Sequence, residues 1–154
     1  MEEIKIMLGD AEIPKQWYNV LADLPGLIEG AADGAGLGTR FLGHIERCAC
    51  LLHLIDGTQD DVVGAYKTVR RELKAYGEGL DKKPELVALN KIDSLTPEEI
   101  EEKSAALQKA ARKKPLLVSG ATGKNVRETL FAIFKAVKKA RSGEEDQEGA
   151  EWTP

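Results

Sequence analysis

The chain has 154 residues, of which 42% are hydrophobic and 31% are charged, and its formal net charge is −4 at pH 7. This length predicts one domain with or without tails, and the composition is typical of a soluble globular protein. The acidic balance argues against a protein that binds nucleic acid over its whole surface. No apolar run approaches the ~20 residues of a membrane span and no signal peptide opens the sequence, so we expect a cytoplasmic protein without a membrane partner.

The first part of the chain contains two candidate strands, residues 4–8 and residues 17–21, and the second leads directly into Asp23. Asp23 and Gly26 form an Asp-x-x-Gly motif at the carboxyl end of that predicted strand. The carboxylate of Asp23 can hold a water molecule of a bound Mg²⁺, and the backbone N–H of Gly26 can approach a phosphate oxygen. The glycine-rich residues 26–38 follow, and a loop of this composition is easily ordered or released by a ligand.

Three apolar segments alternate with three amphipathic segments after the glycine-rich loop. The predicted strands are residues 50–56, 85–89 and 116–118. The predicted helices begin at Asp60 or Asp61, at Thr96, and at Asn125 with Glu128 as its capping partner. Pro97 and Glu99 after Thr96 are typical of a capping box. The alternation predicts an α/β fold of right-handed βαβ units with a parallel sheet of about four strands within residues 18–119.

Two further motifs follow predicted strands, and ligands bind at the carboxyl ends of the strands in such sheets. Asn90, Lys91 and Asp93 form Asn-Lys-x-Asp. The carboxylate of Asp93 can accept hydrogen bonds from N1–H and the exocyclic amine of guanine, a pair of donors that adenine lacks. The aliphatic part of Lys91 can cover the face of the base, and the amide of Asn90 can join neighbouring loops.

The second of these motifs, Ser119, Gly120 and Ala121, follows the last predicted strand. A backbone N–H of Gly120 or Ala121 can donate to guanine O6, while Ser119 braces the loop. Each motif taken alone also fits an ordinary surface turn or a flexible loop. Their order along an alternating chain, each at the exit of an apolar run, favours a guanine-nucleotide domain.

The three motifs resemble the third, fourth and fifth motifs of translation-factor-class GTPases. The longer string at residues 23–48, DLPGLIEGAADGAGLGTRFLGHIERC, is similar to the Obg (CgtA) family, and the resemblance covers about residues 20–143. It implies a Ras-like, three-layer fold of the P-loop NTPase type, binding of GTP and GDP with Mg²⁺, GTP hydrolysis, and a role on the large ribosomal subunit. In that family Leu27 stands where other GTPases have a glutamine that positions water, so slow turnover is expected.

Parts of the family pattern do not occur in this sequence. No string of the form G-x-x-x-x-G-K followed by Ser or Thr is present, and the first switch threonine is missing. Residues 1–25 resemble instead the amino terminus of a tryptophan synthase β-like chain, which would be explained by a chimera or a truncated gene product. We therefore expect a non-family segment at residues 1–19, a partial Obg-type G domain at 20–142 that is incomplete on its N-terminal side, and an acidic disordered tail at 143–154.

These observations lead to two hypotheses of function. The first is an Obg-type guanine-nucleotide-binding protein whose binding and hydrolysis are impaired without the phosphate loop. The second is a non-catalytic interaction module that keeps the fold without tight nucleotide binding. For the first hypothesis the predicted ligands of GTP are Asp23, Gly26, Asn90, Lys91, Asp93, Ser119, Gly120 and Ala121, with Asp23 also on the metal and no catalytic residue assigned.

Overall fold

The computed structural model of the protein describes residues 48–77 and 79–148. The predicted strands at residues 4–8 and 17–21 lie outside the described residues. The same is true of Asp23, Gly26 and the glycine-rich loop.

The described part is a parallel sheet with helices in the connections. The strands are β1 (Leu51–Asp56), β2 (Glu85–Asn90) and β3 (Leu116–Leu117), and the helices are α1 (Val62–Tyr76), α2 (Pro97–Ala111) and α3 (Val126–Glu148). The strand order is β1-β2-β3, and both strand pairs are parallel. This confirms the predicted α/β class and the alternation of strand and helix. The sequence predicts about four strands, and the described residues contain three of them.

Both faces of the central strand β2 are covered, as in a three-layer fold. Val87 and Leu89 point to one face and belong to a cluster with α1 and α2, in which Leu107 is fully buried. Ala88 points to the other face, because side chains alternate along a strand, and it is also fully buried. A strand that is buried on both faces is expected to be almost continuously apolar, and residues 86–89 of β2 are all apolar.

Two of the predicted helix starts are confirmed in their capping contacts. The Asp61 side chain accepts a hydrogen bond from Gly64 N at 2.7 Å, so it satisfies one of the free N–H groups of the first turn of α1. Thr96 Oγ1 accepts from Glu99 N at 3.2 Å, and Glu99 Oε2 accepts from Thr96 N at 2.8 Å. This reciprocal pair is the capping box that the sequence predicts at the start of α2.

Helix α3 differs from the prediction at its start. Asn125 has a φ of 60°, and its Nδ2 donates to Leu117 O at 2.9 Å, so this amide supports the end of β3. An N-cap residue has extended backbone angles, which a φ of 60° does not provide. At its other end α3 continues to Glu148. Glutamate and glutamine are good helix formers, and a single Gly143 weakens a helix by only about 1 kcal/mol.

A polar network lies at the opposite edge of the sheet from the predicted site, where β2 begins. Glu85 is buried, with only 4% of its side chain exposed, and His53 Nδ1 lies 3.2 Å from its Oε1. Tyr66 OH donates to Glu85 Oε2 at 3.4 Å, and Arg70 Nη1 lies 3.8 Å from the same oxygen. A buried carboxylate requires such partners, because an unpaired charge away from water is strongly destabilising.

Among residues 48–77 and 79–148, no helix combines the length and the apolar character needed to cross a membrane.

Candidate functional site

The candidate site lies at the carboxyl ends of the three strands. Asp56 and Asn90 are the last residues of β1 and β2, and they are direct partners in the register of the parallel pair. Ser119 lies two residues after the end of β3. Between them, Val118 N donates to Leu89 O of β2 at 2.9 Å, so the pairing with β2 continues to the residue before Ser119. The parallel topology therefore brings the three strand exits to one edge of the sheet.

Asn90 joins two of these exits through its side-chain oxygen. Its Oδ1 accepts hydrogen bonds from Lys91 N at 2.8 Å and from Gly120 N at 3.2 Å. The second bond spans thirty residues of sequence and holds the loop after β3 against the loop after β2. This is the loop-joining role that the sequence analysis expects of Asn90.

Gly57 allows the backbone of β1 to approach the end of β2. Gly57 N donates to Asn90 O at 2.9 Å. A Cβ atom at position 57 would lie 2.7 Å from Asn90 O and 2.8 Å from Leu95 Cδ1, both closer than a carbon atom can approach without displacing its neighbours. The glycine is therefore required for the close contact that fixes the backbone of Asn90.

Lys91 makes a turn at the site and pairs with an aspartate that the sequence analysis did not select. Its backbone has a φ of 62°, in the left-handed region. Its Nζ lies 2.7 Å from Asp56 Oδ2, while Asp56 Oδ1 accepts from Thr58 N at 2.9 Å and from Thr58 Oγ1 at 2.6 Å. The hydrogen bond from Lys91, followed by those from Thr58, lowers the pKa of Asp56 to about 2. The signal in the sequence was an aspartate ending an apolar run, as at Asp23.

Asp93 and Ser119 form the second link between the loops. Ser119 Oγ donates to Asp93 Oδ1 at 2.6 Å, and this hydrogen bond is the main cause that lowers the pKa of the Asp93 carboxyl below its ordinary value. Ser119 is fully buried, and its Oγ also accepts from Thr122 N at 3.1 Å. Asp93 itself is exposed, so its carboxylate is ionised at neutral pH and faces solvent. Ser119 fixes its Oδ1, and its Oδ2 accepts a longer hydrogen bond from Ser94 Oγ at 3.4 Å.

The loop after β3 contains two backbone N–H groups that were predicted to donate to guanine O6. Gly120 N is used by Asn90 Oδ1, as described above. Among the described residues, no acceptor receives a hydrogen bond from Ala121 N, and Ala121 is exposed. Of the two donors that the sequence analysis proposed for guanine O6, Ala121 N is therefore the one that remains available.

The predicted metal ligand Asp23 lies outside the described residues, as does Gly26. Within residues 48–77 and 79–148, no group of three or more His, Cys, Asp or Glu side chains could hold a metal ion. The assignment of Mg²⁺ to Asp23 remains a prediction.

Comparison with known protein families gives a match over more than half of the chain. Residues 4–91 match the family described as 50S ribosome-binding GTPase. The chain belongs to this family. The matched range includes Asn90 and Lys91, and it includes Asp23 and Gly26 in the part outside the described residues. Asp93 and residues 119–121 lie beyond the matched range, and their assignment to a nucleotide site remains a prediction.

The match begins at residue 4, and it therefore includes most of the segment that the sequence analysis assigns outside the family. The division at residues 19 and 142 remains a prediction, as does the resemblance of residues 1–25 to a second family.

The ion pair between Asp56 and Lys91 gives a testable titration. We expect the carboxyl carbon of Asp56 to titrate in NMR with a pKa of about 2, and the Lys91→Met variant to titrate closer to the ordinary value of 3.8. Methionine keeps the length and apolar stem of lysine but removes the positive charge that stabilises the carboxylate. The Lys103→Met variant is the control, since the Lys103 ammonium donates to Gly57 O and Gln59 O. An unchanged pKa of Asp56 in Lys91→Met would contradict the pairing.

Proposed function

We propose that this chain binds guanine nucleotides, and that it recognises them chiefly through the base. The proposal rests on one observation: Asn90 and Asp93 each form a hydrogen bond to the loop after β3, through Gly120 N and Ser119 Oγ. These bonds hold an exposed carboxylate and a free backbone donor on neighbouring loops of one edge. That is the arrangement a guanine base needs, because its Watson–Crick edge carries two donors beside an acceptor.

The chemistry of the site discriminates guanine from adenine. The Asp93 carboxylate accepts from N1–H and from the exocyclic amine of guanine, and Ala121 N donates to O6. Adenine presents an acceptor at N1 and an amine at position 6, so it would leave both protein groups without partners. An unsatisfied charged acceptor makes this kind of discrimination strong. The stem of Lys91, anchored at its end by Asp56, supplies the apolar contact to the face of the base.

We propose that phosphate binding is weak in the chain as it stands. In P-loop GTPases the phosphates are cradled by the backbone and the lysine of the phosphate loop, together with Mg²⁺. The printed sequence contains no such loop. Contacts to the base alone supply on the order of 3–5 kcal/mol after the cost of association, which corresponds to a dissociation constant in roughly the millimolar range. Hydrolysis of GTP is then too slow to measure.

The finer features of the function are also proposals. The similarity of residues 23–48 to the Obg family supports an Obg-type protein, which uses Mg²⁺ held through Asp23 and acts in the biogenesis of the large ribosomal subunit. The family description, 50S ribosome-binding GTPase, supports a ribosomal partner. Such a role places the protein in the cytoplasm.

Calorimetric titration with GTP and with ATP, each with Mg²⁺, tests this function. We expect binding of GTP in the millimolar range, at least about tenfold weaker binding of ATP, and loss of GTP binding in the Asp93→Ala variant. Glu102→Ala, which removes an exposed carboxylate of α2, is the matched control and should bind GTP as the unchanged protein does.

Two results would change this account. Equal affinity for GTP and ATP would favour the alternative hypothesis, a non-catalytic interaction module. Micromolar affinity for GTP that Asp93→Ala abolishes would show that another segment of the chain supplies a phosphate site, and it would contradict the proposed weak phosphate binding.

A further inference from the structure

A group of basic residues lies at the amino ends of the strands, at the edge of the sheet opposite the guanine site. This basic edge consists of Lys82, Lys83, Lys109, Arg112, Lys113 and Lys114. The residues come from two separate connections, the one between α1 and β2 and the one between α2 and β3. In a parallel sheet such connections enter at the same edge.

Hydrogen bonds fix both connections to the sheet. Lys113 Nζ donates to Glu85 O at 2.9 Å, which holds the chain before β3 against the first residue of β2. Lys83 Nζ donates to Cys48 O at 2.7 Å, which holds the chain before β2 against the segment that leads into β1. The positive charges are therefore attached to a rigid part of the molecule.

The part of this edge formed by the connection between α2 and β3 presents a groove lined by positive charges. An open groove here is lined by Lys109, Arg112, Lys113 and Lys114 together with Ala105 and Gln108, and it contains no carboxylate. None of these four basic side chains forms an ion pair in the described part of the chain. Glu85, the carboxylate that begins β2, is buried and engaged by His53 and Arg70.

Helix electrostatics explain only part of this arrangement. Cations near the C-terminus of α2 interact favourably with its dipole, which accounts for Lys109 and Arg112. Lys82 belongs to another element, the short 3₁₀ helix Leu80–Lys82, and the dipole of α2 does not account for it. Arg112 also has a φ of 57°, a position after a helix where glycine is strongly favoured. An arginine there is strained, and such strain is often kept where the side chain has a function.

The composition of the edge indicates the class of its partner. Protein interfaces are enriched in aromatic residues and depleted of lysine, whereas the phosphate backbone of nucleic acids is bound mainly by lysine and arginine. Five of the six residues of the basic edge are lysines. The exposed large hydrophobic residues of the described chain are Leu54 and Phe131, and neither lines the groove. We propose that the basic edge binds the phosphate backbone of folded RNA.

The two sites are far enough apart to act together. Asn90 is the last of the six residues of β2, so it lies five steps of about 3.3 Å, or roughly 17 Å, from the start of the strand at the basic edge. An RNA helix on the basic edge therefore leaves the guanine site open. The choice of RNA as the polyanion rests on the ribosomal role proposed above, while the surface itself rests on the contacts and charges just described.

The test measures binding of the whole chain to a fluorescently labelled RNA duplex by fluorescence anisotropy, with increasing salt. One variant replaces Lys109, Arg112 and Lys114 by glutamate, and it leaves Lys113 with its bond to Glu85 O. The matched control replaces Lys138, Lys139 and Arg141 of α3 by glutamate, which are also two lysines and one arginine, all exposed. The two variants have the same net charge, and circular dichroism checks that both are folded.

We expect the first variant to lose at least about tenfold more RNA affinity than the control. The magnitude of the slope of log K against log salt should fall by about three, one for each phosphate contact that is lost. Equal losses in the two variants, or no binding of RNA by the unchanged protein, would overturn the proposal. The proposal would also be overturned if an acidic protein bound the basic edge with higher affinity than RNA and displaced the RNA. GTP binding should be equal in both variants, so a failure here is distinct from a failure of the guanine site.

A second variant, Arg112→Gly, separates a role in binding from a role in folding. Glycine relieves the strain at a φ of 57°, so the melting temperature should stay the same or rise by about 2–4 °C. RNA affinity should nevertheless fall by about twofold or more, because one phosphate contact is lost. A variant that keeps full RNA affinity would remove Arg112 from the site and contradict the proposal.

Discussion

We expect the Leu107→Ala variant to lower the free energy of unfolding by about 2–5 kcal/mol. Leu107 of α2 is fully buried in the cluster that joins the helices to the sheet, with Val87 and Leu89 of β2 and Ile55 of β1. Replacing leucine by alanine removes apolar contacts and leaves a cavity that the close-packed surroundings fill only in part. Urea unfolding followed by circular dichroism measures the change.

Leu54→Ala is the matched control for this substitution. Leu54 lies on β1, but 52% of it is exposed, so the same change of side chain removes less buried surface. We expect a loss of at most about 1 kcal/mol. A loss for Leu107→Ala no greater than that for Leu54→Ala would contradict the position of α2 against the sheet.

The second large effect is expected at Glu85. The Glu85→Ala variant should lose about 2–4 kcal/mol of stability, because it leaves His53, Tyr66 and Arg70 facing a buried site without their common partner. Glu85→Gln, which keeps the volume and one acceptor, should lose less. Glu102→Gln on the exposed side of α2 should change the stability little.

The same residue predicts a dependence on pH. Burial alone would raise the pKa of Glu85, but the hydrogen bond from His53 and the charge of Arg70 outweigh it, and the pKa lies below the ordinary value of 4.5. A carboxyl whose pKa is lowered by folding stabilises the protein fully above its unfolded pKa, and this contribution is lost as the pH falls through the folded pKa. The difference in stability between the unchanged protein and Glu85→Gln should therefore shrink as the pH is lowered from 6 to below 4.5. A difference that stays constant would contradict the ionised state of Glu85.

The sequence predicted those parts of the fold that depend on neighbours in the chain. The capping box at Thr96 is complete within four residues, so its pattern is visible without any knowledge of the tertiary structure. The apolar runs of β1 and β2 and the spacing of buried residues in α2 are equally local. These signals were sufficient for the α/β class and the parallel sheet.

The parts that could not be predicted depend on contacts between distant segments. The pair between Lys91 and Asp56 joins residues thirty-five apart, and it requires the register in which Asp56 lies beside Asn90. Asparagine is common at N-caps, so the sequence favours that role for Asn125. Only the structure shows that its side-chain amide donates instead to Leu117 O of β3. That Gly120 N is already engaged, while Ala121 N is not, likewise follows from the contact between Gly120 and Asn90.

The central claim is that Asp93 reads guanine, and an exchange of its preference tests this most directly. Xanthine carries a carbonyl oxygen where guanine carries the exocyclic amine, so an amide donor should replace the carboxylate acceptor. In NMR titrations with GMP and xanthosine monophosphate, the unchanged protein should prefer GMP, with shifts at residues 90–93 and 119–121. The Asp93→Asn variant should prefer xanthosine monophosphate by at least about tenfold. If Asp93→Asn still prefers GMP, or if the shifts lie elsewhere in the chain, the site described here does not read the base.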